Sequence, residues 1–256
     1  MASETSRPSQ NPLQQLTVPV GIVVTIVVIA AWYVTWASSD FLMMMTAPMM
    51  IGSTNLALFF VLIVVMMVAM MLPSAVPMIV AYHGLTRLEG GRPVKPADGV
   101  ATAAFILPYF AVWGAFGVAA LLGLMALGFL GPWTGVAVLI PAATLVAAGV
   151  WQATRTKEVC LNHCQSPMGF VMHHWRSGRL GALRMGLRHS MYCIGCCWLF
   201  MIVLFVAGSM SLVWMGGLSL AIFVEKVGIR PALTPRVIGL LLVVLGGLVA
   251  VQAMFA

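Results

Sequence analysis

Charge is what this sequence has least of. Asp, Glu, Lys and Arg make up 7% of it, against roughly 25% in a soluble domain, so the chain cannot cover a water-facing surface. It also has no glycine-rich loop ending in Gly-Lys-Ser/Thr. Nothing in it is built to cradle a nucleotide, and any transport would be gradient-driven or coupled elsewhere. Cysteine and histidine are scarce too, at five each, which makes their placement informative.

What the chain does have is apolar length. Hydrophobic residues are 62% of it, and the mean hydropathy is +1.05. A helix needs about 20 apolar residues to cross ~30 Å of hydrocarbon. The runs predict an all-α, polytopic transmembrane helix bundle of about seven spans, at 18–36, 56–82, 100–128, 133–153, 191–208, 211–227 and 237–255. A polar tail over 1–17 precedes a single transmembrane helical domain over 18–256. The stretch from Met191 to Val227 is too long for one crossing and is divided near Gly208-Ser209. A removable signal peptide is the rival reading of the first span. Its n-region would hold a single Arg7, whereas Trp32, Tyr33 and Trp36 form the interfacial belt of a full crossing.

Orientation follows from the basic residues. With the N-terminus inside, the inner segments hold Arg7, then Arg87, Arg92 and Lys95, then the six between Arg155 and Arg188, then Lys226, Arg230 and Arg236. That accounts for all 13 Lys and Arg. The positive-inside rule therefore predicts a bacterial cytoplasmic (inner) membrane protein with its N-terminus inside and C-terminus outside. The net charge of +7 reads as topology and affinity for lipid headgroups, not as nucleic-acid binding.

The same map gathers every cysteine and histidine at the inner face, most of them in the cytoplasmic segment 154–190 and the start of the fifth span. Within that segment Ser166-Pro167 reads as a helix start. Met168, Val171, Met172 and Trp175 recur at i, i+3, i+4, i+7 until Gly178, which predicts a short amphipathic helix on the membrane surface. Cys160 and Cys164 are four apart and share a helical face. Cys193, Cys196 and Cys197 follow i, i+3, i+4, with His189 one turn earlier. Thiolate and imidazole are the ligands that Zn(II) and Cu(I) choose, and cytosolic thiols stay reduced. The candidate metal ligands are thus Cys160, Cys164, His189, Cys193, Cys196 and Cys197, with His163, His173, His174 and Glu225 in reserve. Cys-x3-Cys followed at a distance by Cys-x2-Cys-Cys is not a zinc-finger spacing, and buried cysteine is also a common packing residue.

Lys157-Glu158-Val159-Cys160-Leu161-Asn162-His163-Cys164 and Tyr192-Cys193-Ile194-Gly195-Cys196-Cys197-Trp198 resemble a bacterial family of predicted metal-binding integral membrane proteins. So do the stretch from Ala69 to Met78, the stretch from Gly208 to Met215, and Glu225-Lys226. The similarity runs from about Leu58 to Gly228, with Gly-Cys-Cys-Trp its most specific element. The resemblance implies a membrane fold and a metal.

Twenty methionines add a second theme. Met43, Met44, Met45, Met49 and Met50 cluster outside, and Met66, Met67, Met70 and Met71 lie on the second span. Thioethers bind Cu(I), and methionine is also a flexible core filler. Pro73 and Pro77 should kink that span.

The sequence therefore predicts a membrane protein holding a soft ion, copper or zinc, for transport, sensing or delivery to a membrane or metallochaperone partner. An enzymatic thiol–disulfide relay through Cys160/Cys164 and Cys193/Cys196 is the alternative, and a non-catalytic subunit of a membrane complex is a third reading.

Overall fold

A computed structural model describes residues 14–41, 53–89, 92–93, 98–128, 135–206, 211–228 and 232–255. Arg7 with most of the N-terminal tail, the Met43–Met50 cluster, Lys95, the Gly208-Ser209 break and Arg230 lie outside these residues. The apolar runs fold as helices. They are α1 (Gln14–Ala37), α2 (Ser53–Leu85), α3 (Gly99–Ala126), α4 (Ile140–Trp151), α5 (Arg155–Gln165), α6 (Pro167–His174), α7 (Gly178–Val206), α8 (Leu212–Val227) and α9 (Thr234–Phe255). A two-residue antiparallel pair, Leu88–Glu89 with Arg92–Pro93, follows α2, and a short 3₁₀ helix, Gly135–Leu139, leads into α4.

Among the described residues, five helical segments are long and apolar enough to cross a membrane: Pro19–Ala37, Phe60–Leu85, Gly99–Ala126, Gly178–Val206 and Thr234–Phe255. The stretch expected as the fourth span behaves differently. Ala137–Trp151 and Arg155–Gln165 pass the same test together, but with a 67° bend between them. Thr154 makes that bend. Its backbone is extended (φ −80°, ψ 148°), and its side chain caps α5 by accepting from the Lys157 N–H at 3.3 Å. The stretch expected as the sixth span is α8, which at 16 residues is shorter than the roughly 20 that a perpendicular crossing uses.

The segment between the fourth and fifth expected spans is helical almost throughout. Pro167 opens α6 as the sequence suggests, with Ser166 at the cap but its side chain unused there. Gly178 sits at φ +80°, a left-handed conformation that glycine adopts without strain, and α7 starts there. Of the predicted apolar stripe on α6, Val171 is in the core, while Met168, Met172 and Trp175 are exposed. Phe170, off that stripe, is buried beside Val171.

The core is centred on α2, where Met66, Met67, Met70 and Met71 are all fully buried and act as packing residues. Near Pro73 other helices supply donors to its carbonyls, Ser219 Oγ to Met70 O at 3.1 Å and Tyr109 OH to Met71 O at 3.0 Å. Close approaches elsewhere depend on missing side chains. A Cβ on Gly186 of α7 would collide with the Phe105 carbonyl of α3. Gly149 and Gly239 face each other, so that a Cβ on Gly149 would stand 2.6 Å from the Gly239 oxygen, the small-residue contact by which apolar helices close on one another. The α3–α7 contact sets the position of the thiol-bearing helix.

Candidate metal centre

Four of the five thiols meet. On α7, the i, i+3, i+4 spacing puts Cys193, Cys196 and Cys197 on one buried face. The Cys196 and Cys197 sulfurs are 3.1 Å apart, and the Cys196 thiol donates to the Cys193 carbonyl at 3.2 Å. Because that proton is committed, Cys197 is the donor between the two sulfurs. From α5, the buried Cys164 thiol comes close enough to Cys193 and Cys196 to interact with both. All five cysteines are free thiols.

A cation stands at the cluster. Lys226 of α8 is buried, and its Nζ donates to Cys193 Sγ at 2.9 Å and to Ser74 Oγ of α2 at 3.1 Å. Tyr109 of α3 completes the wall, its hydroxyl 3.4 Å from the same sulfur. No carboxylate forms an ion pair with Lys226 among the described residues. Sulfur is therefore the partner with which this buried ammonium can balance its charge, and an unpaired one would be costly.

His189 lies one helical turn before Cys193. Its ring is buried, stacked near Phe105 (6.0 Å between centroids, 19°) and Tyr109 (5.8 Å, 15°). Neither of its ring nitrogens has a hydrogen-bond partner among the described residues, and it is close enough to Cys193 and Lys226 to interact with both electrostatically. A buried polar group left unpaired costs about 1–3 kcal/mol and asks for a bound partner. Two lone ring nitrogens beside four thiols fit a soft ion. Among the described residues, no three His, Cys, Asp or Glu side chains stand ready as a preformed metal cage. The thiols bond to one another and to Lys226 instead.

An ion pair fixes the helices that carry these groups. Lys157 of α5 and Glu225 of α8 are each 1% exposed, with Nζ and Oε2 2.7 Å apart. The same ammonium donates to the Cys196 carbonyl of α7 at 2.7 Å. Gln165, at the end of α5, donates through Nε2 to the Glu225 carbonyl at 2.6 Å. Lys157 thus ties three helices together within the cluster's own backbone.

The other candidates are placed apart. Cys160 is half-buried, over Gly195, where a Cβ would come within 2.6 Å of its sulfur. Glu225 is engaged by Lys157. His83 bonds through Nδ1 to Thr102 Oγ1 at 2.8 Å and joins α2 to α3. His163, His173 and His174 lie toward the surface, each with Nδ1 on the carbonyl four residues back. Sequence reasoning did not assign Lys226, Tyr109 or Ser74 to the site. For Lys226 a signal existed: a cation inside an apolar helix needs a buried partner.

A family profile described as PpoB2, copper chaperone, matches residues 60–249. No curated protein and no solved structure matches the chain.

Proposed function

The chain belongs to the PpoB2 copper chaperone family, and from that premise we propose that it is a membrane-embedded carrier. In this reading it holds Cu(I) between buried thiolates and hands it to a copper-requiring protein. The observation that carries the reading is the convergence of Cys164, Cys193, Cys196 and Cys197 beside an imidazole with both nitrogens unpartnered. Soft thiolates select Cu(I), which a pair of them can hold. A Cu(I) bis-thiolate carries one net negative charge, and Lys226 is placed to balance it. A chaperone must also release its cargo, and thiols that hydrogen-bond to each other and to Lys226 give the empty site a satisfied resting arrangement. His189 is the added ligand nearest the thiols, and Cys160 lies outside the set. Copper is the cargo here, so zinc is left aside.

The membrane reading rests on the five long apolar helices. α4 with its 3₁₀ lead-in, together with α8, would complete a seven-span bundle in the inner membrane, with the α5–α6 face in the cytoplasm because the basic residues crowd there. A reporter fused at residue 165 should then report a cytoplasmic location, and periplasmic activity from it would reverse the orientation. For the chemistry, the full chain should be purified without oxygen, offered Cu(I) and Zn(II) together, and desalted. About one copper per chain should remain, since thiolates favour the softer ion. Zinc retained in place of copper, or no metal at all, would refute the reading.

A further inference from the structure

The surface over the buried thiols carries two adjoining cavities. One, of about 490 Å³, is lined by His163, His173 and His174 together with Asn162 and Phe170. The other, of about 410 Å³, shares His173 and His174 and adds Arg176, Arg184 and Arg188. None of these three arginines has a carboxylate partner among the described residues. Each histidine has Nδ1 2.8–3.0 Å from a main-chain carbonyl. A carbonyl can only accept, so Nδ1 carries the proton and Nε2 keeps its lone pair, the arrangement of a metal-ready imidazole. Aromatic rings stand between the cavities and the deeper site. Buried Phe170 is 4.7 Å from the His174 ring and 5.7 Å from the His189 ring, centroid to centroid. His163 is stacked at 4.0 Å on Tyr192, the residue next to Cys193.

We infer that this surface is an outer transfer station for copper, and that the carrier it exchanges with is an anionic thiolate complex of Cu(I). The arginines explain the choice. They would repel a bare cation from the histidines, and they attract a complex whose thiolates and carboxylates leave it negative overall. In the exchange, a copper–sulfur bond to the carrier breaks as a copper–Nε2 bond forms. Copper stays Cu(I), no electron moves, and the freed carrier thiolate takes a proton from solvent. The inference rests on the buried thiols being the final site, with the Phe170 ring between the two.

The test uses the full chain in lipid nanodiscs, without oxygen, and two donors: Cu(I)–glutathione, which is anionic, and tetrakis(acetonitrile)copper(I), which is cationic. Copper is counted at equilibrium by dialysis, and its uptake is followed in time by rapid desalting, which keeps the tightly held ion. His163→Phe combined with His173→Ala and His174→Ala keeps the ring on Tyr192 but removes three Nε2 ligands. It should slow uptake from both donors by about tenfold or more, the scale on which metal-site partners act, and remove the labile copper seen by dialysis. The tightly held copper at the end should be unchanged. Arg184→Ser with Arg188→Ser should slow uptake from the glutathione complex alone. Wild-type rates in the histidine variant, loss of its tightly held copper, or an arginine effect that is absent or equal for both donors would each overturn the inference. Failure of the buried site has a different signature. The wild type then keeps no copper after desalting, while dialysis still reads the histidine-dependent copper, or its absence, directly.

Discussion

Replacing Cys193 by Ala should weaken Cu(I) binding by about a hundredfold or more, beyond the 10–100-fold that loss of a supporting group around a metal causes. Cys193 is the thiol that the other groups of the site share: Cys164, Lys226 and Tyr109 all reach its sulfur. The same substitution strips the sulfur from Lys226 and leaves a buried ammonium on Ser74 alone, so stability should fall as well. The two effects separate in the double variant Cys193→Ala/Lys226→Met. Removing the orphaned charge should restore much of the thermal stability, while copper binding stays lost. Copper competition against a Cu(I) chelator, with melting curves on the same samples, checks both. If the single variant bound copper as tightly as the parent, Cys193 would not be a ligand.

Glu225→Ala should lower stability by about 3–5 kcal/mol, the cost of leaving a buried ion without its partner. Lys157 would keep the Cys196 carbonyl and the face of the Phe200 ring, and α5, with Cys164, would lose its ion pair to α8 while keeping the Gln165 bond to the main chain at position 225. The control is Lys157→Met/Glu225→Met, which replaces both charges by apolar groups of similar length. Such exchanges are often neutral or stabilising, so the double variant should melt near the parent. Copper affinity should follow the fold: reduced in Glu225→Ala and recovered in the double variant. If both variants held equally little copper while the double variant melted normally, Glu225 itself would be touching the metal.

Much of this arrangement could be read from local pattern. Apolar runs marked the helices because bilayer-length apolar stretches have few other uses. The stripe of Cys193, Cys196 and Cys197 follows from helical geometry alone, as does its link to His189. The rest depends on how helices cross. Cys160 and Cys164 share a face of α5, yet Cys164 enters the cluster while Cys160 rests over Gly195, and only the angle between α5 and α7 decides which. Lys226 meets a thiol 33 residues away and Lys157 a carboxylate 68 residues away, and no local rule foretells either pairing. On α6 the periodic stripe of Met168, Val171, Met172 and Trp175 gives a face for the membrane surface, and three of the four are exposed. Val171 is in the core together with Phe170, which lies off the stripe, because α6 packs its adjoining side against the protein.

Which atoms surround the copper decides whether the buried thiols are the site. Copper K-edge X-ray absorption on the full chain, loaded with one equivalent of Cu(I) without oxygen, reads this directly. A first shell of sulfur near 2.3 Å, the length of a metal–thiolate bond, is the expected result. It should be lost when Cys164, Cys193, Cys196 and Cys197 are together replaced by Ser. A shell of nitrogen or oxygen alone near 2.0 Å, unchanged by those substitutions, would contradict it.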